Sequence, residues 1–227
     1  WHTLFRAFGG VSASARDMTQ VLKLFTTRGY IGDQRWLLAD SLADMATPKT
    51  TVMARSGIRQ GRGMGLSVSQ YQGRWIWTHN GDADGYLARI AYSPASERAY
   101  YVVINAFRHD LLRKFVGELD TWLVKGAARN DVQPAITLNK EQLERYHGKY
   151  QRLTESRNKR DISIDSDVDG LFWYYQNKPG RRNPLIALGN HRFRSAEEFA
   201  ASTLWQRMDD GSILLQGPMG TYQRTSQ

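Results

Sequence analysis

Trp75-Ile76-Trp77-Thr78-His79-Asn80-Gly81-Asp82-Ala83-Asp84-Gly85-Tyr86 runs directly into Leu87-Ala88-Arg89-Ile90-Ala91-Tyr92. Two short apolar runs at strand spacing face each other across a segment of small and polar residues. The first run ends in a histidine followed by glycines, and glycine lets a second backbone come close because it has no Cβ. A histidine at that point sets a titratable group on a rigid element. The stretch reads as one wall of an active site.

Working outward, residues 63–71 alternate at strand period, Gln72-Gly73 makes a turn, and residues 74–79 answer as the next strand. Residues 86–92 follow, then a turn at Ser93-Pro94, then residues 100–105. Four runs joined by short turns predict an antiparallel meander. Leu111, Leu112, Phe115, Val116, Leu119, Trp122 and Leu123 then recur at helical spacing, which predicts an amphipathic helix over 109–125 lying on the sheet. Upstream, residues 1–10 read as a strand or loop closing in a glycine turn. Ser12 and Ser14 are candidate caps for a helix over 15–27, with Asp17 near its positive end. A shorter helix is expected over 37–45, ended by Pro48.

Periodicity is lost around Pro134, where the texture of the chain changes. We expect a first domain over 1–127, a linker over 128–138 and a second domain over 139–227. A short helix at 140–145 opens the second part. Eight runs broken by polar or glycine turns follow, at 149–153, 161–164, 171–176, 185–188, 192–194, 202–207, 213–216 and 221–224. Their number and spacing predict a small all-β barrel or sandwich. The fold class is therefore α+β, an antiparallel sheet flanked by helices, followed by a β-barrel.

Composition excludes several functions. The net charge is +9, with +6 on residues 1–133 and +3 on the remainder, and no Lys/Arg run exceeds two. Charge spread this way is a solvated surface and not a nucleic-acid stripe. Cysteine is absent, so disulfides, thiolate metal sites and cysteine nucleophiles are excluded. No apolar run is long enough to span a membrane. His2, His109, His147 and His191 have no ligand spacing, so no metal and no cofactor are expected. Asp165, Asp167 and Asp169 before Gly170 lack the later glutamate of a calcium loop and read as a hairpin turn. Gly61-Arg62-Gly63-Met64-Gly65 leads into a strand, whereas phosphate loops open helices. Phe172-Trp173-Tyr174-Tyr175 could line a barrel mouth, but packing is the plainer reading of aromatics in a strand.

His79-Asn80-Gly81 alone is a weak signal. It gains weight because it follows Gly9-Gly10-Val11-Ser12-Ala13-Ser14-Ala15-Arg16-Asp17-Met18 and Gly63-Met64-Gly65-Leu66-Ser67 in order. This ordered set resembles the C-terminal half of the catalytic domain in the serine β-lactamase and penicillin-binding-protein superfamily, above all its class C-like esterases, D-aminopeptidases and DD-peptidases. There a His-x-Gly box replaces the Lys-Thr-Gly of other members. The resemblance covers residues 1–127. It implies that His79 stands beside the acyl site and orients substrate or assists proton transfer. It implies that Asn80 and Gly81 form the strand edge along which an extended substrate lies. The backbone N–H of Asp82 would be an oxyanion-hole donor, and Gly85 and Tyr86, leading into the next strand, would join Asn80 and Gly81 in binding substrate. The segment from Leu143 to Tyr150 resembles the opening of the lipocalin-like barrel appended in some members.

The chain departs from that family where the nucleophile belongs. No Ser-x-x-Lys and no Tyr-x-Asn precede His79. Ser156-Arg157-Asn158-Lys159 and Tyr175-Gln176-Asn177 come later, in the wrong order and in the expected barrel. The resemblance therefore implies part of a serine hydrolase acting on peptide-like, ester or β-lactam substrates. Its nucleophile would come from the missing N-terminal part of the same protein, the one partner expected, and this chain alone would be inactive. It further implies a periplasmic or secreted location. The alternative is a non-catalytic module that binds a small ligand or partner through the barrel.

Overall fold

The computed structural model describes residues 9, 11–83, 85–153 and 160–226. The expected strand or loop over 1–10 and the Ser156-to-Lys159 run lie largely or wholly outside them. The chain divides into two compact units, residues 1–50 with 62–130 and residues 51–61 with 131–227.

In the first unit, α1 (Ala15–Thr26) starts at Ser14. Its hydroxyl accepts from the Asp17 N–H at 3.2 Å, while the Asp17 carboxylate accepts from the Ser14 N–H at 3.1 Å. Two orphan donors are satisfied reciprocally, which selects Ser14 over Ser12 as the cap. The Ser14 hydroxyl also donates to the Asp17 carboxylate at 2.8 Å, and this bond, then the one from the Ser14 N–H, holds the Asp17 carboxyl below its ordinary range. The helix ends at Thr26, and in the turn beyond it Gly29 has φ +100°, where an added Cβ would lie 2.1 Å from the Leu37 carbonyl oxygen. Only glycine fits there. A two-residue ribbon, β1 (Tyr30–Ile31) and β2 (Gln34–Arg35), leads to α2 (Ala39–Ala46).

The sheet order is β3 (Gly61–Arg62), β4 (Ser67–Tyr71), β5 (Arg74–Ala83), β6 (Tyr86–Ser93), β7 (Arg98–Ile104). The expected meander forms in order, with β5 extended by four residues because its ladder with β6 continues to Ala83 opposite Tyr86. Alternation along β5 divides its contacts between two faces. Trp77 packs with Leu66, Val68 and Tyr92 beside Phe25 and Met45, and Phe25 stacks on Tyr92 at 4.9 Å. The Trp77 indole donates to the Ala46 carbonyl at 3.2 Å. Ile76 packs on the other face with Ala91, Tyr100, Leu123 and Val124, the last two from α4 (His109–Val124).

Part of the apolar stripe of α4, Leu112, Val116, Leu119 and Leu123, faces inward. Leu123 is fully buried, whereas Leu111, Phe115 and Trp122 are exposed. The inward residues Leu112, Val116, Leu119, Asp120, Leu123 and Val124 follow an i, i+4, i+7, i+8, i+11, i+12 course, one helix face. Leu111, Phe115 and Trp122 lie on the flank.

The second unit opens with α3 (Val52–Arg55), and α5 (Lys140–Glu144) follows under an Asn139–Gln142 capping box. Next come β8 (Gly148–Arg152), β9 (Ile162–Asp167), β10 (Gly170–Tyr175), β11 (Asn183–Pro184), β12 (Ile186–Ala187), β13 (Arg192–Arg194), β14 (Thr203–Arg207), β15 (Ile213–Gly217) and β16 (Gly220–Ser226). These nine strands form one antiparallel sheet in the order β11-β10-β9-β8-β16-β15-β14-β13-β12. Its two edges, β11 and β12, are separated in the chain by Leu185 alone. Residues 183–187 act as one bent strand that pairs first with β10 and then with β13. Counted so, the sheet is an eight-stranded barrel closed through its own chain. A flat sheet of this size would hold its edges about 40 Å apart at ~4.8 Å per strand. Leu171 of β10 and Phe193 of β13 instead share one core with Tyr150, Trp205, Leu215 and Tyr222.

Those side chains fill the interior, as eight strands allow. Their polar ends are satisfied: the Tyr150 hydroxyl donates to the Tyr146 carbonyl at 2.7 Å and accepts from the Trp205 indole at 3.1 Å. Residues 131–138, expected as a linker, belong to this unit, with the Gln133 and Ile136 N–H groups donating to the carbonyls of Phe199 and Ala187. Residues 51–61 join it through Met53 and Ile58, which pack on Ala201 and Leu204. Asp165 and Asp167 lie in β9 and Asp169 in the turn that follows, where Asp167 accepts from the Asp169 N–H at 2.9 Å and from Arg182 at 2.6 Å. No helix among the described residues is long and apolar enough to cross a membrane.

Two outcomes are expected. Leu123→Ala should destabilise the first unit by about 2–5 kcal/mol, and Leu111→Ala by less than about 0.5 kcal/mol, measured by denaturant unfolding. In the second unit, His191 lies beside Trp205 and its Nδ1 is 2.9 Å from the Tyr146 hydroxyl. Burial, and then the charge of Arg145, push its pKa below the ordinary imidazole value. Folding therefore favours the neutral ring, so that contribution is full above about pH 6.5 and is lost as pH falls below it. His191→Asn tolerates the left-handed backbone at this position, φ +57°. It should flatten the fall in denaturation midpoint between pH 7.5 and 5.

Candidate active-site wall

β5 carries the wall because it outlasts one of its neighbours. Its ladder with β4 ends at Thr78, opposite Ser67, while its ladder with β6 runs on through His79, Asn80, Gly81, Asp82 and Ala83. From His79 onward the strand has β6 on one side and, among the described residues, an unpaired edge on the other. Each such edge offers backbone N–H and C=O groups to an extended chain. All five residues are exposed.

Alternation sets His79 on the same face as Trp77, and Asn80 on the same face as Ile76. Gly81 shares the His79 face, opposite Ala88, whose Cβ would lie 3.3 Å from an added Cβ. A side chain there would crowd the ladder and stand in front of the free edge. Two residues link the paired Ala83 and Tyr86, and in sequence they are Asp-Gly, with Gly85 at φ +81°. That dipeptide is a strong hairpin signal and predicts both the turn and the longer β5. Tyr86 is exposed at the start of β6.

Asp82 faces α4, with its carboxylate 3.8 Å from His109 Nε2, both side chains about half exposed. A pair so exposed contributes little. Asn80 meets a deeper group of residues that the sequence reading did not single out. The Arg89 guanidinium donates through Nη1 to Asn80 Oδ1 at 3.4 Å, through Nε to the Tyr100 hydroxyl at 2.9 Å, and through Nη2 to Asp120 Oδ2 at 2.9 Å. Tyr100 donates to Asp120 Oδ1 at 2.6 Å. Arg89 and Asp120 are nearly buried, with side-chain exposures of 14% and 7%. Burial, then the bond to the Asp120 carboxylate, push the Tyr100 phenol well above its ordinary pKa. A signal for this pair exists in the sequence: Arg89 alternates in phase with the inward Leu87 and Ala91, and Asp120 lies between Leu119 and Leu123. Opposite charges at core positions predict a buried pair.

The wall thus brings together His79, Asn80, Gly81 and Asp82 on one strand, with Gly85 and Tyr86 across the hairpin. Tyr175-Gln176-Asn177 lies at the end of β10 in the barrel unit.

The family profile described as Beta-lactamase matches residues 2–120, over half of the chain, and the chain belongs to that family. No curated protein matches it in sequence. Among solved structures, it is similar to the crystal structure of SurE, at 14% identity and TM-score 0.43, over 91% of this chain and 48% of that one. SurE with D-Leu gives 18%, 0.44, 91% and 49%. The octameric penicillin-binding protein homologue from Pyrococcus abyssi gives 15%, 0.37, 93% and 47%. The chain spans about half the length of these structures.

Asp82→Asn should change stability by less than about 0.5 kcal/mol in denaturant unfolding at pH 6, because the His109 pair is solvent-screened.

Proposed function

We propose that this chain is the C-terminal part of an acyl-serine hydrolase of class C-like type, with residues 1–127 from the catalytic domain and 139–227 as a lipocalin-like barrel. Its wall would bind an extended peptide-like, ester or β-lactam substrate along the free edge of β5. The observation that carries this reading is the exposed stretch His79–Ala83, paired on one side only among the described residues, within the segment that matches the β-lactamase family. His79 orients the substrate or assists proton transfer, Asn80 and Gly81 line the strand, and the Asp82 N–H meets the developing oxyanion. A nucleophilic serine and its base come from a part of the protein outside this chain.

The test is labelling by a fluorescent penicillin and a fluorophosphonate, read by intact mass on this chain and on a longer product of the same gene. Labelling of the longer product alone is expected, with His79→Ala lowering turnover there about 100-fold or more. Labelling of this chain by itself would overturn the assignment of the nucleophile. Absence of labelling in both would overturn the acyl-serine reading.

A further inference from the structure

We propose that Arg89 and Asp120 are positioning residues that hold the free edge of β5 in place through the side chain of Asn80. The proposal rests on the reading of that edge as the substrate wall, and its argument is mechanical. An edge that recognises an extended chain must keep its N–H and C=O groups aligned, because a misplacement of about 1 Å removes the benefit of preorganisation. Among the described residues, the backbone from His79 to Ala83 is held laterally by β6 alone. Without a second ladder the stretch can rock about β6.

Asn80 is the second residue of this stretch, directly opposite Arg89 in register. The Arg89 guanidinium uses three nitrogens on three elements: Asn80 of β5, Tyr100 of β7 and Asp120 of α4. Both oxygens of Asp120 are used in turn, one by Arg89 and one by Tyr100. The group forms a closed polar plug beside Ile76, Ala91 and Leu123, with its single arm to the exposed strand at Asn80. A planar, three-way fork suits this task in a way that a lysine ammonium does not. A buried ion pair contributes little stability relative to apolar side chains of similar volume, whereas it can specify geometry.

The experiment is site-resolved amide hydrogen exchange on the full 227-residue chain, comparing the β6-paired amides of residues 79–83 with those of residues 76–78. The double variant Arg89→Met with Asp120→Leu replaces the buried pair by apolar groups and leaves no charge stranded. Asn80→Ala cuts the arm and leaves the plug intact. Both should raise exchange across 79–83 by about tenfold with exchange at 76–78 unchanged, and Asn80→Ala should leave the unfolding midpoint unchanged. If the double variant does not fold, Asn80→Ala alone decides. Unchanged exchange at 79–83, or an equal rise at 76–78, would overturn the proposal. Exchange does not depend on any reaction, so a longer product that fails to react with a fluorophosphonate would remove the acyl-serine reading separately.

Discussion

The β5–β6 ladder is the constraint on which the first unit depends. Among the described residues no strand pairing is longer, though the β6–β7 ladder equals it, and both cores of that unit are built on its two faces. Trp77 and Tyr92, paired across it, collect Phe25 and Met45 on one side. Ile76 and Ala91 collect Leu123 and Val124 on the other. Because the ladder runs past the end of β4, it also creates the one-sided stretch in which His79 stands. Core and candidate site are two ends of the same strand pair, one dry and one open to solvent.

The Arg89–Asp120–Tyr100 group marks the boundary between those ends. Toward Leu123 the space between sheet and helix is apolar and filled; toward Asn80 it opens to water. A charged pair at that boundary avoids the full desolvation of a deep interior while gaining from partial exclusion of water. It also explains why Asp120 is tolerated on the buried face of α4, where an unpaired carboxylate would be costly.

The barrel solves a different problem. Short strands leave edges, and edges invite unwanted pairing. Bending residues 183–187 at Leu185 lets one segment serve both edges of the sheet, so closure needs no further strand. Tyrosines then fill the interior, with Tyr150 and Tyr222 fully buried and their hydroxyls bonded to backbone carbonyls. That packing is what a stable small barrel requires.

Much of this was legible along the chain. Alternation in residues 63–105, the helical spacing after His109 and the eight short runs after residue 139 are local patterns, set by the periods of two and 3.6 that any strand or helix imposes. The stretches around Gly9, Gly63 and His79 that carry the resemblance are likewise contiguous. Tertiary structure decided what depends on distant partners. It selected which flank of α4 meets the sheet and attached residues 51–61 to the barrel unit. It also ended β4 one residue before His79 and set Arg89 against Asp120, thirty-one positions apart. Periodicity tells a residue which way it points, and only packing tells it what it meets there.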